Sequence, residues 1–350
     1  MMSARFLTVV LERAFNMRDG FGREIDYMRI SVIDSCNLNC YYCNPCDNNE
    51  HCHALNILSV KEVLCIVRAA TRLGIKHFRL TGGEPLLHPQ LDEMVLQIKK
   101  IPGVSSVSLT TNAVLLAQHA KWLKEAGIDS INVSLDTIDA SEYERITKKP
   151  LLEEVKHGIN AAIECGIRVK INVVLTPQTD VVALTRYVAK KGTDIRFIEM
   201  MPVGEGHTNG VEPYKKVIGT LSKLYGEPCR INTEKTKEIN SGNNKRKIPD
   251  NGPAEYYIFP ELGIRVGLIQ AIHGKFCDTC NRIRVTADGR LMPCLGSSVT
   301  MDLVPDSWDF ADDVEKDFAI VRALRAAIKA KPRCHNFNDN AVTYTKTTET

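Results

Sequence analysis

The chain has 350 residues, of which 44% are hydrophobic and 25% charged, the composition of an ordinary globular protein with a large core. Its 45 Lys and Arg residues against 42 Asp and Glu residues give a formal net charge of +3, which does not favour nucleic-acid binding. No apolar run reaches the roughly 18 residues of a membrane-spanning helix, and the amino terminus lacks a signal-peptide cleavage site. We therefore expect a cytoplasmic protein without a membrane or nucleic-acid partner.

The chain contains twelve cysteines. Disulfides are rare in the cytosol, and a chain of this size does not need them for stability. Metal binding or redox chemistry is therefore the better interpretation of most of them. Cys65 and Cys165, which lie within helical patterns, are more typical of packing residues.

Short β-branched runs alternate with helical patterns from Tyr27 to about Tyr225. The predicted strands are 28–33, 77–80, 104–109, 130–135, 168–175 and 194–200. Helical periodicity is found between them at 60–74, 117–127 and 151–166, and each of these segments ends at a glycine that can stop a helix. Six β/α units predict a parallel sheet, doubly wound or curled into a barrel, with functional loops at the carboxyl ends of its strands. We expect every motif below to lie in or beside such a loop.

The stretch CNLNCYYC, Cys36 to Cys43, places three cysteines directly after the first strand. Four thiolates close a zinc or iron–sulfur site, whereas three leave one metal position open for a small molecule. The alternative is a zinc site whose fourth ligand comes from the residues that follow. The candidates for that ligand are Cys46, His51, Cys52 and His53. Spacing alone leaves both interpretations open, and with them the role of Cys46 and Cys52.

Thr81 to Pro85, TGGEP, directly follow the second strand. Two glycines let the backbone approach a ligand and a proline can start a helix, although an ordinary turn is the alternative. Three basic residues, Arg29, Arg79 and Lys170, lie inside predicted strands. Buried parallel strands are normally apolar, so these cations are unfavourable unless they meet an anion. Together they predict a polyanionic substrate inside the barrel.

Residues 228–254 are polar, rich in Asn and Lys, and punctuated by Gly and Pro, which predicts a linker. We accordingly place a barrel domain at 1–227, a second region at 255–331 and a polar tail at 332–350. The second region begins with a predicted β-hairpin, AEYYIFPELGIRVGLIQ, and ends with a helix around 318–330.

The second region also carries a second group of three thiols, Cys277, Cys280 and Cys294. A strand-turn-strand pattern around ADG would bring the third of them back to the pair. His273 could complete a zinc site, so spacing alone leaves zinc and an iron–sulfur cluster open. Arg282 and Arg284 lie two residues apart on a strand and hence on one face, where they could hold a phosphate or a purine.

Together, CNLNCYYC, TGGEP and FCDTCNRIRVTADGRLMPCL resemble the motifs of the radical S-adenosylmethionine (SAM) superfamily and, within it, of the GTP 3',8-cyclases of molybdenum-cofactor biosynthesis. The resemblance runs from about Asp26 to Leu295. It implies an α/β fold, namely a partial (β/α)6 radical SAM barrel with a carboxy-terminal α+β region that carries a second iron–sulfur cluster. The first motif defines only the superfamily, whereas the second cysteine group with NRIR is far more specific.

The resemblance also implies the ligands of each group. Two [4Fe-4S] clusters would be held by Cys36, Cys40 and Cys43 and by Cys277, Cys280 and Cys294. SAM would be contacted by Tyr42, Gly83, Ser134 and Met201. GTP would be held by Arg29, Arg79, Thr110, Lys170, Arg282, Ile283 and Arg284. No side chain would be a catalytic residue in its own right, because the radical is generated on SAM.

In such enzymes, one electron from the first cluster cleaves SAM to methionine and a 5'-deoxyadenosyl radical. That radical takes the ribose 3'-hydrogen of GTP, and cyclisation gives 3',8-cyclo-7,8-dihydro-GTP. The resemblance implies a flavodoxin- or ferredoxin-like electron donor, and either a monomer or a homodimer. The final residues, TKTTET, depart from the Gly-Gly end usual in the family. An enzyme that uses the same two-cluster chemistry on a different substrate is therefore the alternative.

The metal of the cysteine groups can be identified by colour and analysis. Protein purified without oxygen should be brown, with an absorbance band near about 400 nm that thiolate-ligated iron–sulfur clusters produce. Metal analysis should find iron and inorganic sulfide. A colourless protein that contains zinc and little iron would contradict the cluster hypothesis for both groups.

Overall fold

The computed structural model describes residues 17–43, 56–203, 206, 210–231, 239–241, 244–246, 252–297, 299–303, 313–335 and 337. Cys46 and Cys52 lie outside the described residues, as do His51 and His53, the other candidates for a fourth zinc ligand. The predicted tail is described only as far as residue 337.

The chain alternates strands and helices through its first two thirds. The strands are β1 Tyr27–Ser31, β2 His77–Thr81, β3 Ser106–Thr111, β4 Ser130–Ser134, β5 Val169–Leu175, β6 Asp194–Glu199, β7 Cys229–Ile231, β8 Ile239–Ser241, β9 Asn244–Arg246, β10 Glu255–Ile258, β11 Arg265–Ile269, β12 Arg282–Val285, β13 Arg290–Met292 and β14 Met301–Asp302. The α-helices are α1 Val60–Arg72, α2 Leu91–Lys99, α3 Leu116–Glu125, α4 Ala140–Thr147, α5 Leu152–Glu164, α6 Val181–Lys190, α7 Gly219–Tyr225 and α8 Asp313–Lys329. Short 3₁₀ turns cover Pro85–Leu87 and Cys277–Thr279, and a π-helical turn, Tyr214–Ile218, leads into α7.

Twelve of the described strands form one sheet, in the order β14-β13-β12-β1-β2-β3-β4-β5-β6-β11-β10-β7. Strands β1 to β6 are consecutive neighbours and pair in parallel, as six β/α units require. All six predicted strands are present, with ends that shift by up to two residues. The predicted α/β fold with a parallel-strand sheet is therefore confirmed.

The strands of this sheet alternate between apolar and polar residues. On β1 and β2, Met28, Ile30, Phe78 and Leu80 are fully buried beneath the helices, whereas Arg29 and Arg79 alternate with them and face a cavity. Parallel sheets covered on both faces are usually apolar throughout. Here only the outer face packs on helices, and the polar inner face surrounds an open interior.

Later segments extend both edges of the six-stranded core. Strand β12 pairs in parallel with β1, with Tyr27 opposite Arg282, and β11 pairs in parallel with β6. The predicted hairpin is confirmed, since β10 and β11 are antiparallel, and so is the strand-turn-strand pattern of β12 and β13. Within the predicted linker, β7 joins the main sheet through β10, and the domain limits remain a prediction.

The last helix, α8, packs against the first helix of the barrel. Helix α1 begins at a capping box in which Ser59 and Glu62 each accept a main-chain N–H from the other, an arrangement that fixes a helix start. Arg72 at its end forms an ion pair with Asp317 of α8 at 2.7 Å. This docking places the segment after α8 beside the second cysteine group. None of the helices in the described part of the chain combines the length and apolar character that a bilayer crossing requires.

Helix α5 approaches the main chain after β3 so closely that one position must be glycine. A Cβ atom on Gly158 would lie 2.4 Å from the carbonyl oxygen of Ala113. We predict that Gly158→Ala lowers the free energy of unfolding by about 1–3 kcal/mol, because the helix must move away from a fixed backbone atom. The free energy can be measured by urea denaturation.

Gly219 supplies the control for this substitution, because a Cβ atom there would contact nothing within 4 Å. Gly219→Ala, at the start of α7, should be neutral or stabilising by up to about 1 kcal/mol. Equal effects of the two substitutions would contradict close packing at Gly158.

Candidate active site

A cavity of about 700 Å³ occupies the interior of the curled sheet. Its wall consists of the inward-facing residues of all six barrel strands together with Arg282 of β12. They include Tyr27, Arg29, His77, Arg79, Ser108, Thr110, Asn132, Ser134, Lys170, Asn172 and Arg196. A cavity of this size and polarity is large enough for two small molecules that carry charged groups.

The first cysteine group lies at the carboxyl end of this cavity. Cys36, Cys40 and Cys43 line it and are free thiols. Gly83 packs directly on the main chain before them, where a Cβ atom would lie 2.2 Å from the carbonyl oxygen of Ser35. The glycine of TGGEP is therefore required for a close approach between two loops, which goes beyond an ordinary turn.

Glu84 fastens the TGGEP loop to the end of β3. Its carboxylate is 1% exposed and accepts hydrogen bonds from Thr111 Oγ1 at 2.6 Å, from Asn112 N at 2.7 Å and from Leu86 N at 3.0 Å. Burial raises the pKa of Glu84 despite these bonds, which lower it. Asn112, held in this way, places its Nδ2 atom 3.8 Å from Cys36 Sγ.

Tyr42 is anchored from the opposite side of the cavity. Its hydroxyl donates to Asp136, whose other oxygen accepts the main-chain N–H of Val174 at 2.7 Å. Burial raises the pKa of Asp136 to about 6, and it raises that of Tyr42 well above its usual value. The loop between Cys40 and Cys43 is thus tied to the ends of β4 and β5.

Burial also raises the pKa of all three thiols in this loop, that of Cys40 to about 12. Three neighbouring thiolates are unfavourable in such surroundings without a compensating cation. A metal cluster supplies that cation, since a coordinating thiol is deprotonated by the metal. The donor set therefore fits a metal-bound group.

The predicted SAM contacts gather at the same end of the cavity. Tyr42, Gly83 and Ser134 line it. Met201 follows β6 and is half-buried, outside the cavity lining. Its loop nevertheless reaches Tyr42, because a Cβ atom on Gly206 would lie 2.6 Å from Met201 O and 3.6 Å from Tyr42 O.

The second cysteine group lies at the opposite end of the strands. Cys277 and Cys280 precede β12, which runs parallel to β1 and begins level with Tyr27. Cys294 follows the antiparallel β13 and so returns to the same end. The prediction that every motif lies at the carboxyl ends is therefore wrong for this group, because the loop that starts after β11 carries the cysteines to the amino end of β12. A strand of five residues separates the two groups by about 17 Å.

Two buried cations hold the second group in place. Arg23 donates to Cys277 O at 2.7 Å and to Pro332 O at 2.6 Å. Lys331, which is 2% exposed, donates from Nζ to the carbonyl oxygens of Arg282 at 2.8 Å and Pro293 at 2.9 Å. The segment after α8 is thereby fastened across the cysteine loops.

The second group is more electropositive than the first. Burial raises the pKa of Cys280, but the charges of Arg282 and Lys331 outweigh it and bring the pKa down to about 7. Arg282 also donates from Nη2 to Cys280 Sγ at 3.7 Å. Cys334 of the segment after α8 lies close enough to Cys277 to add to the effect of burial, which raises the pKa of that thiol.

The residue that could complete a zinc site at the second group is engaged elsewhere. His273, the candidate fourth zinc ligand, instead pairs with Glu199 at the end of β6.

The basic residues predicted for the substrate line the cavity between the two groups. Arg29, Arg79 and Lys170 face it with Thr110, and Arg79 Nη1 lies 3.4 Å from Thr110 Oγ1. Arg284 is in register with Arg29. Burial and the neighbouring charge of Arg284 lower the pKa of Arg29 well below its usual value. This crowding of like charges favours an anion in the cavity.

Ile283 differs from the other predicted substrate residues. It is 0% exposed and belongs to the hydrophobic core on the outer face of the sheet. Its side chain therefore faces away from Arg282 and Arg284, as alternation along a strand requires. Only the main-chain atoms of Ile283, and none of its side chain, are therefore on the cavity side of the strand.

Sequence reasoning missed several polar residues of the cavity wall. Arg196 is 4% exposed, and its Nε and Nη2 atoms make no hydrogen bond to any residue that the structure describes. Asn112, Asn132, Asp136 and Asn172 also line the cavity. The signal available in the sequence was their position at every second residue of apolar strands, or directly after a strand.

Comparison with known proteins identifies the family. The model of the radical SAM superfamily matches residues 30–183, and the model Molybdenum Cofactor Synthesis C matches residues 193–337. A GTP 3',8-cyclase of Clostridium perfringens (strain SM101 / Type A) is 35% identical over 324 residues, which are 92% of this chain and 95% of that protein. One of Pelotomaculum thermopropionicum is 36% identical over 327 residues, 91% of this chain and 95% of that protein. The chain belongs to the GTP 3',8-cyclase family.

Solved structures agree with this family at the level of the fold. SuiB of Streptococcus suis bound to precursor peptide SuiA superimposes with a TM-score of 0.57 at 16% identity, over 92% of this chain and 69% of that chain. Native anSMEcpe with bound AdoMet, another name for SAM, gives 0.53 at 17% identity, over 85% of this chain and 82% of that chain. The family match, rather than these structures, makes the chain a radical SAM enzyme with SAM and an iron–sulfur cluster as its cofactors.

The hydrogen bonds of Glu84 predict its contribution to stability. Glu84→Ala should lower the free energy of unfolding by about 3 kcal/mol, because the Thr111 hydroxyl and the Asn112 N–H lose a buried partner. Glu84→Gln keeps one acceptor oxygen and should lower it by about half as much. Urea denaturation under reducing conditions measures both effects.

Glu164 is a suitable control, because it is exposed at the end of α5. Glu164→Ala should change the free energy of unfolding by no more than about 0.5 kcal/mol. If Glu84→Ala proved as mild as this control, the carboxylate would not fasten the loop as described.

Proposed function

We propose that the protein converts GTP to 3',8-cyclo-7,8-dihydro-GTP, the first step of molybdopterin biosynthesis. The observation that carries this proposal is one cavity with a basic wall. Three thiols line its carboxyl end, and Arg282, which also lines it, contacts Cys280 of the second thiol group. A substrate that spans this cavity must present an anionic part to the wall. It must also reach from SAM at the first thiol group to the second thiol group, as a nucleoside triphosphate held beside SAM would do.

At the carboxyl end, Cys36, Cys40 and Cys43 would hold a [4Fe-4S] cluster with one iron left for SAM. Tyr42, Gly83, Ser134 and Met201 would position SAM. Any side chain at Gly83 would clash with the main chain directly before the cysteine loop. When bound, SAM and the cluster supply a one-electron cleavage that produces a 5'-deoxyadenosyl radical.

At the amino end, Cys277, Cys280 and Cys294 would hold a second [4Fe-4S] cluster, which would bind the guanine. Arg282, beside Cys280, would lie between this cluster and the nucleotide. The positive charges of Arg282 and Lys331 stabilise the Cys280 thiolate, and they would stabilise a reduced cluster that has only the three thiolates as protein ligands. The two clusters would therefore have different tasks, radical generation and substrate binding.

The wall between the clusters would hold the triphosphate. The predicted contacts are Arg29, Arg79, Thr110, Lys170 and Arg284. Arg196 adds to them, because it lines the cavity and its Nε and Nη2 atoms have no hydrogen-bond partner among the described residues. Guanidinium groups bind phosphate oxygens in pairs. The triphosphate would relieve the repulsion among these cations, so the empty cavity is less stable than the filled one. A one-electron donor of the flavodoxin or ferredoxin type would serve the first cluster.

The proposal is tested by a single anaerobic assay. Reconstituted protein with reductant, SAM and GTP should yield 5'-deoxyadenosine and the cyclised nucleotide, both detectable by mass spectrometry. Lys170→Met removes a cation that is 5% exposed in the cavity wall, and it should lower kcat/KM for GTP by about 10²–10³, the equivalent of about 3–4 kcal/mol.

Lys156→Met provides the matched control, because Lys156 lies on the outer helix α5 in an ion pair with Glu153. This variant should retain wild-type kcat/KM. A wild-type protein that cleaves SAM but never forms the cyclised nucleotide from GTP would overturn the proposed function in favour of another substrate.

A further inference from the structure

Asn132 occupies the middle of the cavity wall, between residues predicted for two different ligands. On the neighbouring strands it is in register with Thr110 of β3 and with Lys170 of β5, both predicted to contact GTP. Ser134, predicted to contact SAM, lies two residues further along β4 and on the same face. Two residues of a strand span about 6.6 Å. Asn132 therefore marks the level at which the two ligands meet.

The side chain of Asn132 is buried, but its carboxamide oxygen lacks a hydrogen bond within the described structure. It is 4% exposed, and its Oδ1 atom makes no hydrogen bond to any residue that the structure describes. Asn172, which is in register with Ser134 and lines the same cavity, has an Oδ1 atom in the same condition. A buried carboxamide without a partner is unfavourable. Because Asn132 lines the cavity, a ligand in that cavity is a source of the missing partner.

The chemistry of the proposed reaction decides which part of GTP can reach this level. The carbon–hydrogen bond at C3' of the ribose breaks as a carbon–hydrogen bond forms at C5' of the deoxyadenosyl group. Reacting atoms must approach to about 3–3.5 Å before such a transfer. The ribose of GTP must therefore lie directly beside SAM, at the level of Asn132, two residues before Ser134 on β4. The phosphates would then extend towards the cations and the base towards the second cluster.

We propose that the Asn132 carboxamide hydrogen-bonds a ribose hydroxyl of GTP and thereby turns the 3'-hydrogen towards SAM. This inference rests on the proposed function, since it names the residue that orients the substrate of that reaction. Rotation about the Cβ–Cγ bond of Asn is soft, so the side chain can present either its oxygen or its amide group to a hydroxyl. Thr110 and Lys170 on either side would hold the rest of the nucleotide in place.

The experiment compares nucleotides that differ by one hydroxyl. Dissociation constants for GTP, 2'-deoxy-GTP and 3'-deoxy-GTP are measured by equilibrium dialysis against the anaerobically reconstituted protein with SAM bound. The wild type should bind GTP about tenfold more tightly than the analogue that lacks the contacted hydroxyl, the value of one buried hydrogen bond. In Asn132→Ala this preference should fall to about one, because GTP binds more weakly and that analogue binds as before.

Two further variants separate this role from a structural one. Asn132→Leu has the same size without hydrogen-bonding atoms, and it should lose the preference in the same way if the substituted wall still folds. Asn160→Ala removes a carboxamide that accepts from Lys191 on the outer helices, and it should keep the wild-type preference.

Each outcome discriminates between the hypotheses. Loss of the preference in both Asn132 variants supports the inference. Equal weakening of all three nucleotides shows a merely structural role and overturns it, as does a wild-type protein with no preference for either hydroxyl. A wild type that binds none of the three nucleotides refutes GTP as the substrate, which is a failure of the proposed function.

Discussion

The parallel pairing of β12 with β1 is the interaction on which the site depends. It places Arg282 opposite Tyr27 and Arg284 opposite Arg29, which brings the carboxy-terminal region onto the open edge of the barrel. Cys277 and Cys280 directly precede β12, so the second cysteine group lies at the amino end of β1, whereas the first group follows the carboxyl end of β1. Antiparallel pairing would have placed both groups at the same end. The length of one strand thus sets the separation between the two thiol groups.

The inner face of the sheet is a second constraint, and it is electrostatic. Cations from β1, β2, β5, β6 and β12 surround one cavity, and burial with repulsion from Arg284 lowers the pKa of Arg29 well below its usual value. Such a surface is stable only in company with an anion or with buried carboxylates. Asp194, which is in register with Lys170 and pairs with Arg265, meets part of this need, but Arg29 and Arg79 face the cavity. The positive charge of the inner face therefore favours an anionic ligand inside the barrel.

The two cysteine groups differ in their surroundings although each offers three thiols. Around Cys40, burial raises the thiol pKa to about 12, so metal binding and thiolate formation must occur together. Around Cys280, Arg282 and Lys331 bring the pKa down to about 7, and Lys331 is held by two main-chain carbonyl groups. The neighbours of the two thiol groups thus give Cys40 and Cys280 different acidities.

The sequence by itself determined the order of strands and helices, the two thiol groups and most of the basic wall. These features are local: β-branched runs, helical periodicity, cysteine spacing and charged residues within apolar strands. Tertiary structure decided the positions of the thiol groups at opposite ends, the places of Asn132, Asp136 and Arg196 in the cavity wall, and the outward orientation of Ile283. It also made Arg23 and Lys331 into supports of the second group. Such contacts join residues as far as 310 positions apart, and they depend on strand pairing that no local pattern in the chain encodes.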